Sequence, residues 1–482
     1  MKSLSEKRVG EVALVLLLVL GVYAWLARKY VLIGRLNADE GFYCLAAKKA
    51  LAGQVPYRDF AYSQMPVLPY VNGLIMKIVG FGYLHQRIVN ATWGLATLAA
   101  VFCLGLCIAG RYAGLVAAWL TATSLYWVHF VCMGKTYAAT GFFLMLAALG
   151  ICVPWSYYRK VLFFTAAGVL AIGCRLTAAP AVGVLGVFLI LQGRGTRDRI
   201  IAAALPAAAC LALFLPFFLA DPENFIFWNV EYHAGSWSAP RVWEAIGEHL
   251  WLAPGVLVLM LAGTVGAIAK FRQVNRLQWG VLLAGIVGIA TQLSLRSPYR
   301  ENSVPYVALG AIAAAAILTR WGWFKRFRAI VLVLPLLAWP GPKPVTEPFI
   351  LKSLLDSAKF VEDHTSPDER VLTPYPIVAI EANREVFDGL EMGKFALTCE
   401  MPEERARRLH LVTPRTLTEL ARSARTVAVV LRSYRSAWNF GYSVPGLRVA
   451  NEREMNLFWQ AVEQRYRIAF TQFPFVVALR KG

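Results

Sequence analysis

Apolar runs recur along the first 340 or so residues, and most are long enough to cross the roughly 30 Å hydrocarbon core of a bilayer. They begin near residues 11, 84, 112, 137, 160, 176, 199, 249, 278, 302 and 328. The pattern predicts a polytopic α-helical membrane protein with about eleven transmembrane helices. A further run at 65–80 is short and contains Pro66, Pro69 and Asn72, which predicts an interfacial or re-entrant helix.

The pattern changes at about residue 342, where the apolar runs become shorter. It predicts helices at about 348–363, 376–383, 402–410, 415–423 and 452–465, with strands at 370–374, 426–432, 466–472 and 473–480. Alternating helices and strands favour a small soluble α/β domain. We therefore expect two domains, a membrane domain at 1–341 and a C-terminal domain at 342–482. The C-terminal domain has neither a glycine-rich phosphate loop nor triad spacing, so its sequence indicates no chemistry of its own.

Composition supports the membrane assignment and excludes one other class. Hydrophobic residues make up 58% of the chain and charged residues 16%. The core of one soluble domain could not bury this many hydrophobic side chains. The formal charge of +20 could suggest nucleic acid as a partner. However, the basic residues form short clusters between apolar runs rather than one basic and aromatic surface, which argues against nucleic-acid binding.

The positions of these basic clusters predict the orientation of the chain. If Lys2, Lys7 and Arg8 are cytoplasmic, alternation of eleven spans places the main basic clusters in the cytoplasm as well, as the positive-inside rule requires. A first external loop with interfacial helices (35–83), a loop at 221–248 and the C-terminal domain then lie on the opposite face. The N-terminal apolar run is too long for a signal peptide and lacks a small-residue cleavage site, so it is expected to remain as an anchor.

Asp39 and Glu40 form an acid pair directly after the first apolar run, where water and a polar substrate can both reach them. A carboxylate at such a place suits acid–base chemistry. Spacing alone favours a structural interpretation, because Asn37 could cap a helix with Glu40 at its N3 position and Gly53 after its end. The wider phrase that contains the acid pair shifts the balance towards chemistry.

Four cationic residues lie at span boundaries on the predicted outer face: Arg58, Lys135, Arg175 and Arg300. Guanidinium and ammonium groups bind phosphate oxygens, so these residues are candidate phosphate ligands. The alternative is that they only extend their side chains to lipid headgroups. Asp59 beside Arg58 is expected to be its ion partner, and the sequence near Lys135 contains no acidic residue.

The same face contains further polar candidates. Tyr62, Gln64, His85, Tyr299 and Asn302 could line a groove for an acceptor substrate, although such residues are also ordinary anchors at a membrane interface. His233, with Glu231 two residues before it, is a candidate metal ligand, and a surface histidine is the alternative.

The phrase DEGFYCLAAKKALAGQVPYRDFAYSQMPVLPY resembles the first external loop of bacterial polyprenyl-phosphate-sugar-dependent glycosyltransferases of the GT-C superfamily. That group includes protein mannosyltransferases and the lipid A aminoarabinose transferase. The phrases GKTYAAT, CRLTAAP, FWNVEYH and SPYRENSVPY are more weakly similar. Met65 departs from the usual residue after Gln64, and relatives carry an acid in the region around Lys135.

The resemblance implies a GT-C-like fold and an inverting transfer of a sugar from a polyprenyl phosphate carrier to an acceptor hydroxyl. Asp39 would be the catalytic base and Glu40 a supporting acid, while the four cationic residues would bind the donor phosphate. The acceptor would be a glycan, a lipid or a protein, and a divalent cation (Mg²⁺, Mn²⁺ or Zn²⁺) could assist, as in some relatives. The enzyme would lie among the lipids of the bacterial plasma (inner) membrane, with its site and C-terminal domain on the non-cytoplasmic side.

Two other classes remain open. A transporter or flippase of lipid-linked sugars would normally show a two-half repeat and ionisable groups at the bilayer midplane. The chain has no such repeat, and its polar groups gather at one face. A carbohydrate-binding or assembly subunit would use the C-terminal domain as its working part. The outward acid pair with clustered cations favours the enzyme over both.

Overall fold

The computed structural model describes residues 2–233, 239–294, 299, 301–320, 323–337, 350–432 and 452–481. The helices are, in chain order, α1 (Lys2–Ile33), α2 (Asp39–Leu51), α3 (Val67–Val79), α4 (Tyr83–Ala109), α5 (Arg111–Thr123), α6 (Leu125–Val131), α7 (Tyr137–Cys152), α8 (Tyr157–Cys174), α9 (Ala179–Ile190), α10 (Thr196–Ala220), α11 (Pro222–Asn229), α12 (Ala239–Leu252), α13 (Pro254–Ala269), α14 (Arg276–Ser294), α15 (Val304–Arg320), α16 (Trp323–Leu337), α17 (Ile350–Asp363), α18 (Pro376–Glu381), α19 (Glu403–Arg408), α20 (Pro414–Arg422) and α21 (Glu452–Arg465). The strands are β1 (Arg370–Leu372), β2 (Glu385–Val386), β3 (Thr426–Arg432), β4 (Tyr466–Gln472) and β5 (Phe475–Arg480).

These elements form two compact units that are not continuous in sequence. We call them the span unit, which comprises the described parts of 1–31, 90–213 and 237–345, and the loop unit, which comprises those of 32–89, 214–236 and 346–482. The described residues after 346, which fall in the C-terminal domain predicted at 342–482, thus belong to the same compact unit as the first external loop.

The span unit is helical, and a helix or bent helix pair coincides with each predicted apolar run. Four helices of the described part are long and apolar enough to cross a membrane, namely Gly10–Ile33, Tyr83–Ala109, Thr196–Ala220 and Arg276–Ser294. Helices α5 and α6 would form a fifth span, bent by 69° at Ser124, whose backbone is extended and whose hydroxyl accepts the Trp127 N–H. The chain is a multi-pass membrane protein, and the count of eleven spans stays a prediction.

The loop unit begins with α2 and α3, the two short helices of the first external loop. Lys48 lies in the last turn of α2 and Gly53 follows the helix with a φ of +89°, a backbone conformation that favours glycine. Helix α3 has 13 residues, so the run at 65–80 forms the short helix that its length predicted. Gly73 lies so close to Leu51 and the Ala47 carbonyl that a larger side chain would not fit, which brings α3 against α2.

The C-terminal part of the loop unit is a five-stranded sheet in the order β2-β1-β3-β5-β4, with helices packed beside it. Strand β1 runs parallel to β2 and β3, whereas β5 runs antiparallel to β3 and β4. Buried apolar side chains such as Val371, Val429 and Val477 form its core. Each helix and strand predicted after residue 342 is present. Among the residues that the structure describes there, strand β2 and the short 3₁₀ helix Gly393–Ala396 have no counterpart among the predictions.

This C-terminal part packs against the earlier segments of the loop unit through side chains that donate to backbone carbonyls. Asn224 Nδ2 lies 2.8 Å from the Arg408 oxygen, and Trp228 Nε1 lies 3.2 Å from the Leu409 oxygen. His410 Nε2 lies 3.1 Å from the Tyr57 oxygen in the first external loop. The loop unit is therefore held together by contacts between segments far apart in sequence.

Candidate functional site

The acid pair lies at the start of α2, where Asp39 is the first helical residue. The Asp39 N–H donates to Asn37 Oδ1 at 3.0 Å, and the Asn37 N–H donates to Glu40 Oε2 at 3.1 Å. These reciprocal bonds confirm a capping role for Glu40, although the helix begins one residue later than predicted, with Ala38 as its N-cap. Asp39 is half-buried, and its carboxylate is stabilised by the positive end of the helix dipole.

Glu40 is fully buried and forms an ion pair with Arg87 of α4. Arg87 Nε lies 2.7 Å from Oε1, and Nη2 lies 2.7 Å from Oε2, so the guanidinium contacts both carboxylate oxygens. Such two-pronged pairs fix the geometry of both side chains. The two acids therefore differ, because Glu40 is enclosed by protein groups and Asp39 is partly accessible.

Arg58 is the most accessible of the described candidate phosphate ligands, with 52% of its side chain exposed. Its Nε and Nη2 lie 2.9 and 2.8 Å from the two oxygens of Asp59, which confirms Asp59 as its ion partner. Hydrogen bonding to Arg58 holds the pKa of Asp59 below its usual range. The role of Arg58 as a phosphate ligand stays a prediction.

Lys135 and Arg175 both lie beside the Tyr137 ring in the span unit, and their role as phosphate ligands stays a prediction. Lys135 Nζ lies 5.9 Å from the centre of the Tyr137 ring, and the Arg175 guanidinium lies 4.9 Å from the same ring. Lys135 pairs with Glu301 at 2.8 Å, and Arg175 Nη2 donates to Asn302 Oδ1 at 2.9 Å. We call these five residues the Lys135 cluster, and all five are buried.

Local structure explains how the cluster forms. Lys135 lies in the turn directly before α7, and Asn90 Nδ2 holds this turn by donating to the Met133 and Lys135 carbonyls. Arg175 follows the last residue of α8 in an extended conformation. Its guanidinium then donates to the hydroxyls of Thr136 and Thr177 at 3.3 and 3.0 Å.

The groove candidates are divided between the two compact units. Asn302 belongs to the Lys135 cluster, where its Oδ1 also accepts the Tyr137 hydroxyl at 3.2 Å, and the Tyr299 carbonyl accepts the Asn302 N–H. Tyr62 is fully buried in the loop unit, with its ring 6.1 Å from that of Tyr43. Arg300 lies outside the described residues.

Gln64 and His85 take part in the packing of the loop unit. The Gln64 carbonyl accepts the Tyr57 hydroxyl at 2.5 Å. The His85 ring and the Glu381 carboxylate both lie close to Gly82. Burial raises the pKa of Glu381 above its usual value, while the Tyr83 N–H, 2.6 Å from Oε1, lowers it in part.

The predicted metal ligand His233 fits a divalent cation poorly. Its Nε2 lies 2.7 Å from the Ser63 carbonyl, and Glu231 pairs with Arg405 at 3.7 Å. Among the residues that the structure describes, no three His, Cys, Asp or Glu side chains are grouped to hold a metal ion. A cation cofactor stays a prediction.

Sequence reasoning missed two residues of these sites, Arg87 and Glu301. Arg87 is a charged residue at the start of an apolar run, and a charge there requires a buried counter-charge. That signal could have found it. Glu301 is 166 residues from Lys135, so the missing acid near Lys135 is supplied by a distant segment that no local spacing indicates.

Comparison with solved structures gives likenesses over nearly the whole chain. ArnT from Cupriavidus metallidurans in the apo state aligns with a TM-score of 0.69 at 15% identity, covering 98% of this chain and 98% of that one. The same protein bound to undecaprenyl phosphate aligns with a TM-score of 0.66 at 14% identity, covering 97% of this chain and 98% of that one. The oligosaccharyltransferase of Archaeoglobus fulgidus in the apo form aligns with a TM-score of 0.51 at 12% identity, covering 86% of this chain and 69% of that one.

Sequence comparison adds no closer assignment, because no family model and no curated protein matches the chain. The structural likenesses extend over both compact units. This chain therefore has the fold of the GT-C glycosyltransferases.

Proposed function

We propose that this protein is an inverting glycosyltransferase that moves a sugar from a polyprenyl phosphate carrier to an acceptor hydroxyl. The observation that carries the proposal is the Lys135 cluster, two buried cationic side chains beside one tyrosine ring, within a GT-C fold. Lys135 already pairs with Glu301, whereas the contacts of Arg175 in the described part are to neutral oxygens of Thr136, Thr177 and Asn302. Two buried cations beside one carboxylate favour a further anion, and a lipid phosphate supplies one. A likeness to ArnT bound to undecaprenyl phosphate supports this class of donor.

The loop charges support a site on the non-cytoplasmic face of the membrane, and the resemblance of the first external loop to bacterial enzymes supports a bacterial inner membrane. Under the predicted topology Asp39, Lys135 and Arg175 all lie on that face. The acceptor would be a glycan, lipid or protein that reaches the same face.

In the proposed reaction an acceptor hydroxyl oxygen forms a bond to the anomeric carbon from the side opposite the phosphate. The bond between that carbon and the phosphate oxygen breaks, and its electron pair stays on the phosphate. Asp39 accepts the hydroxyl proton, a role that typically contributes about 10²–10⁴-fold to the rate. Lys135 and Arg175 stabilise the charge that grows on the leaving phosphate, because donors fixed in advance act most strongly on developing charge.

The donor class can be tested with purified protein in lipid nanodiscs. The donors would be undecaprenyl phosphates that carry a radiolabelled hexose or pentose, and a bacterial envelope extract would supply acceptors. We expect label to move from at least one of these undecaprenyl phosphate donors to an acceptor in the extract, separated from the donor by thin-layer chromatography or gel electrophoresis. If no donor loses label and undecaprenyl phosphate does not bind, the proposed function is wrong.

The catalytic base can be tested with Asp39→Asn, which keeps the size of the side chain and a polar helix start but removes the base. We expect sugar transfer to fall by about 10²-fold or more, with little change in thermal stability. Asp221→Asn is the matched control, because Asp221 caps α11 in the same unit by accepting the Asn224 N–H at 3.0 Å. Loss of folding in Asp39→Asn in proportion to its loss of activity would show that Asp39 is only structural.

A further inference from the structure

Arg87, near the start of α4, is a buried cation whose guanidinium donates several hydrogen bonds to the first external loop and the residue before it. Its side chain is 1% exposed. Besides the two contacts to Glu40, Nη1 lies 3.1 Å from the Gly34 carbonyl and Nη2 lies 2.7 Å from the Arg35 carbonyl. The guanidinium also lies 4.2 Å from the centre of the Tyr83 ring. One side chain thus holds both the segment before α2 and the second residue of α2.

A continuous series of hydrogen bonds leads from Arg87 to Asp39. Glu40 Oε2 contacts Arg87 and accepts the Asn37 N–H, and Asn37 Oδ1 accepts the Asp39 N–H. Gln86, next to Arg87, donates to the Glu40 carbonyl at 3.0 Å. The backbone of Asp39 is therefore positioned from α4 through charged and polar groups.

Burying such a pair is expensive for stability alone, since a hydrophobic pair of similar size often serves as well or better. Precise placement is what a two-pronged ion pair provides. A general base must lie within hydrogen-bond reach of the proton that it removes, and a displacement of 1 Å can cost about 10²-fold in rate.

We propose that Arg87 is a positioning residue for the transfer reaction: through Glu40 and Asn37 it fixes the place of the Asp39 carboxylate. This inference rests on the proposed function. It also gives Glu40 a defined role, which is to transmit the position of Arg87 rather than to contact the acceptor.

Arg87→Lys tests the proposal, because lysine keeps the charge but loses the planar fork. We expect the rate of transfer per folded protein, measured with the labelled undecaprenyl-phosphate sugars, to fall about 10–10²-fold. The KM for the donor and the affinity for undecaprenyl phosphate should stay within about twofold, since the inference assigns Arg87 no contact with the donor phosphate.

Arg384→Lys is the matched control. Arg384 is also a buried arginine of the loop unit, and it donates to Thr365 Oγ1 at 2.8 Å and to the Glu362 carbonyl at 2.9 Å. Its substitution should lower thermal stability without changing the rate per folded protein. An equal fall in rate in both variants would mean that Arg87 acts only through stability.

A double-mutant cycle separates this inference from the proposed function. If Arg87 acts through Asp39, Arg87→Lys should slow the Asp39→Asn protein by less than about twofold. Independent, multiplying effects would overturn the inference and leave the role of Asp39 intact. An inactive wild-type protein would instead overturn the proposed function.

If Arg87→Lys does not fold, Glu40→Gln provides a second test of the positioning role of Arg87. Glutamine can still accept the Asn37 N–H but carries no charge, so the contact with Arg87 weakens while the helix start remains. We expect the same fall in rate without a change in KM. A Glu40→Gln protein with wild-type rate would contradict the proposal.

Discussion

Two buried ion pairs, one in each compact unit, look alike by distance but differ in the way they are built. Glu40 and Arg87 in the loop unit lie 2.7 Å apart, and Lys135 and Glu301 in the span unit lie 2.8 Å apart. In the first pair a planar guanidinium contacts both carboxylate oxygens and two backbone carbonyls. In the second an ammonium group on a flexible stem donates to a carboxylate oxygen of Glu301.

The difference shows what each pair is suited to do. An arginine fork with several fixed acceptors holds neighbouring segments in one arrangement. A lysine is a point charge that can exchange one anion for another with little rearrangement. We interpret the first pair as an anchor for the acid pair and the second as an exchangeable contact that a donor phosphate could replace.

The largest expected effect is on stability. Arg87→Met leaves the Glu40 carboxylate buried without its ion partner, which should cost about 3–5 kcal/mol of unfolding free energy. Lys135→Met should cost less than half of this, because the Glu301 side chain is 11% exposed and more easily hydrated. Thermal unfolding of both variants in the same detergent tests the contrast, and equal losses would contradict it.

Lipid affinity should show the opposite order. Lys135→Met removes a charged donor, worth about 1.5–3 kcal/mol, so we expect undecaprenyl phosphate to bind at least tenfold more weakly. Lys270→Met, which changes an exposed lysine on the predicted cytoplasmic side, is the control and should bind normally. If the two variants bind equally well, Lys135 is not a phosphate ligand.

Glu301→Gln sharpens the idea of an exchangeable contact. Removing the carboxylate removes the competitor of the phosphate for Lys135, so undecaprenyl phosphate should bind about fivefold more tightly, a gain of about 1 kcal/mol. Turnover should slow if release of the lipid product limits it. Weaker binding in this variant would show that Glu301 holds Lys135 in place for the phosphate instead of competing with it.

The smallest effect concerns Glu381, an enclosed carboxylate that receives the Tyr83 N–H rather than a guanidinium. Burial raises its pKa from the ordinary value of 4.5, so the folded state holds this proton more tightly than the unfolded state. Its contribution to stability is therefore full below that value and is lost as the pH rises through the folded pKa. Glu381→Gln mimics the protonated form and should therefore remove this pH dependence.

Melting temperatures measured as the pH is raised from 4.5 to neutrality test this prediction. The wild-type protein should lose stability more steeply than Glu381→Gln as the pH rises across this range. Parallel curves for the two proteins would show that Glu381 titrates as it does in the unfolded chain.

Several features were predictable because they depend on local sequence. The 13-residue helix α3, the glycine after α2 and the order of helices and strands after residue 350 follow from hydrophobic periodicity and turn residues. Capping by Glu40 was predictable for the same reason, since Asn37 and Glu40 are three residues apart. The membrane class follows from composition and run length.

The partners of the charged residues were decided by tertiary structure alone. Glu40 meets Arg87 across 47 residues and Lys135 meets Glu301 across 166 residues, so no spacing rule connects them. Local sequence also did not predict that the C-terminal sheet and the first external loop belong to one unit. The contacts that join the segments of this unit are side-chain bonds to backbone carbonyls, which any residue could offer. Local patterns determine which segments form helices and strands, whereas the pairing of buried charges depends on which segments the packed fold brings together.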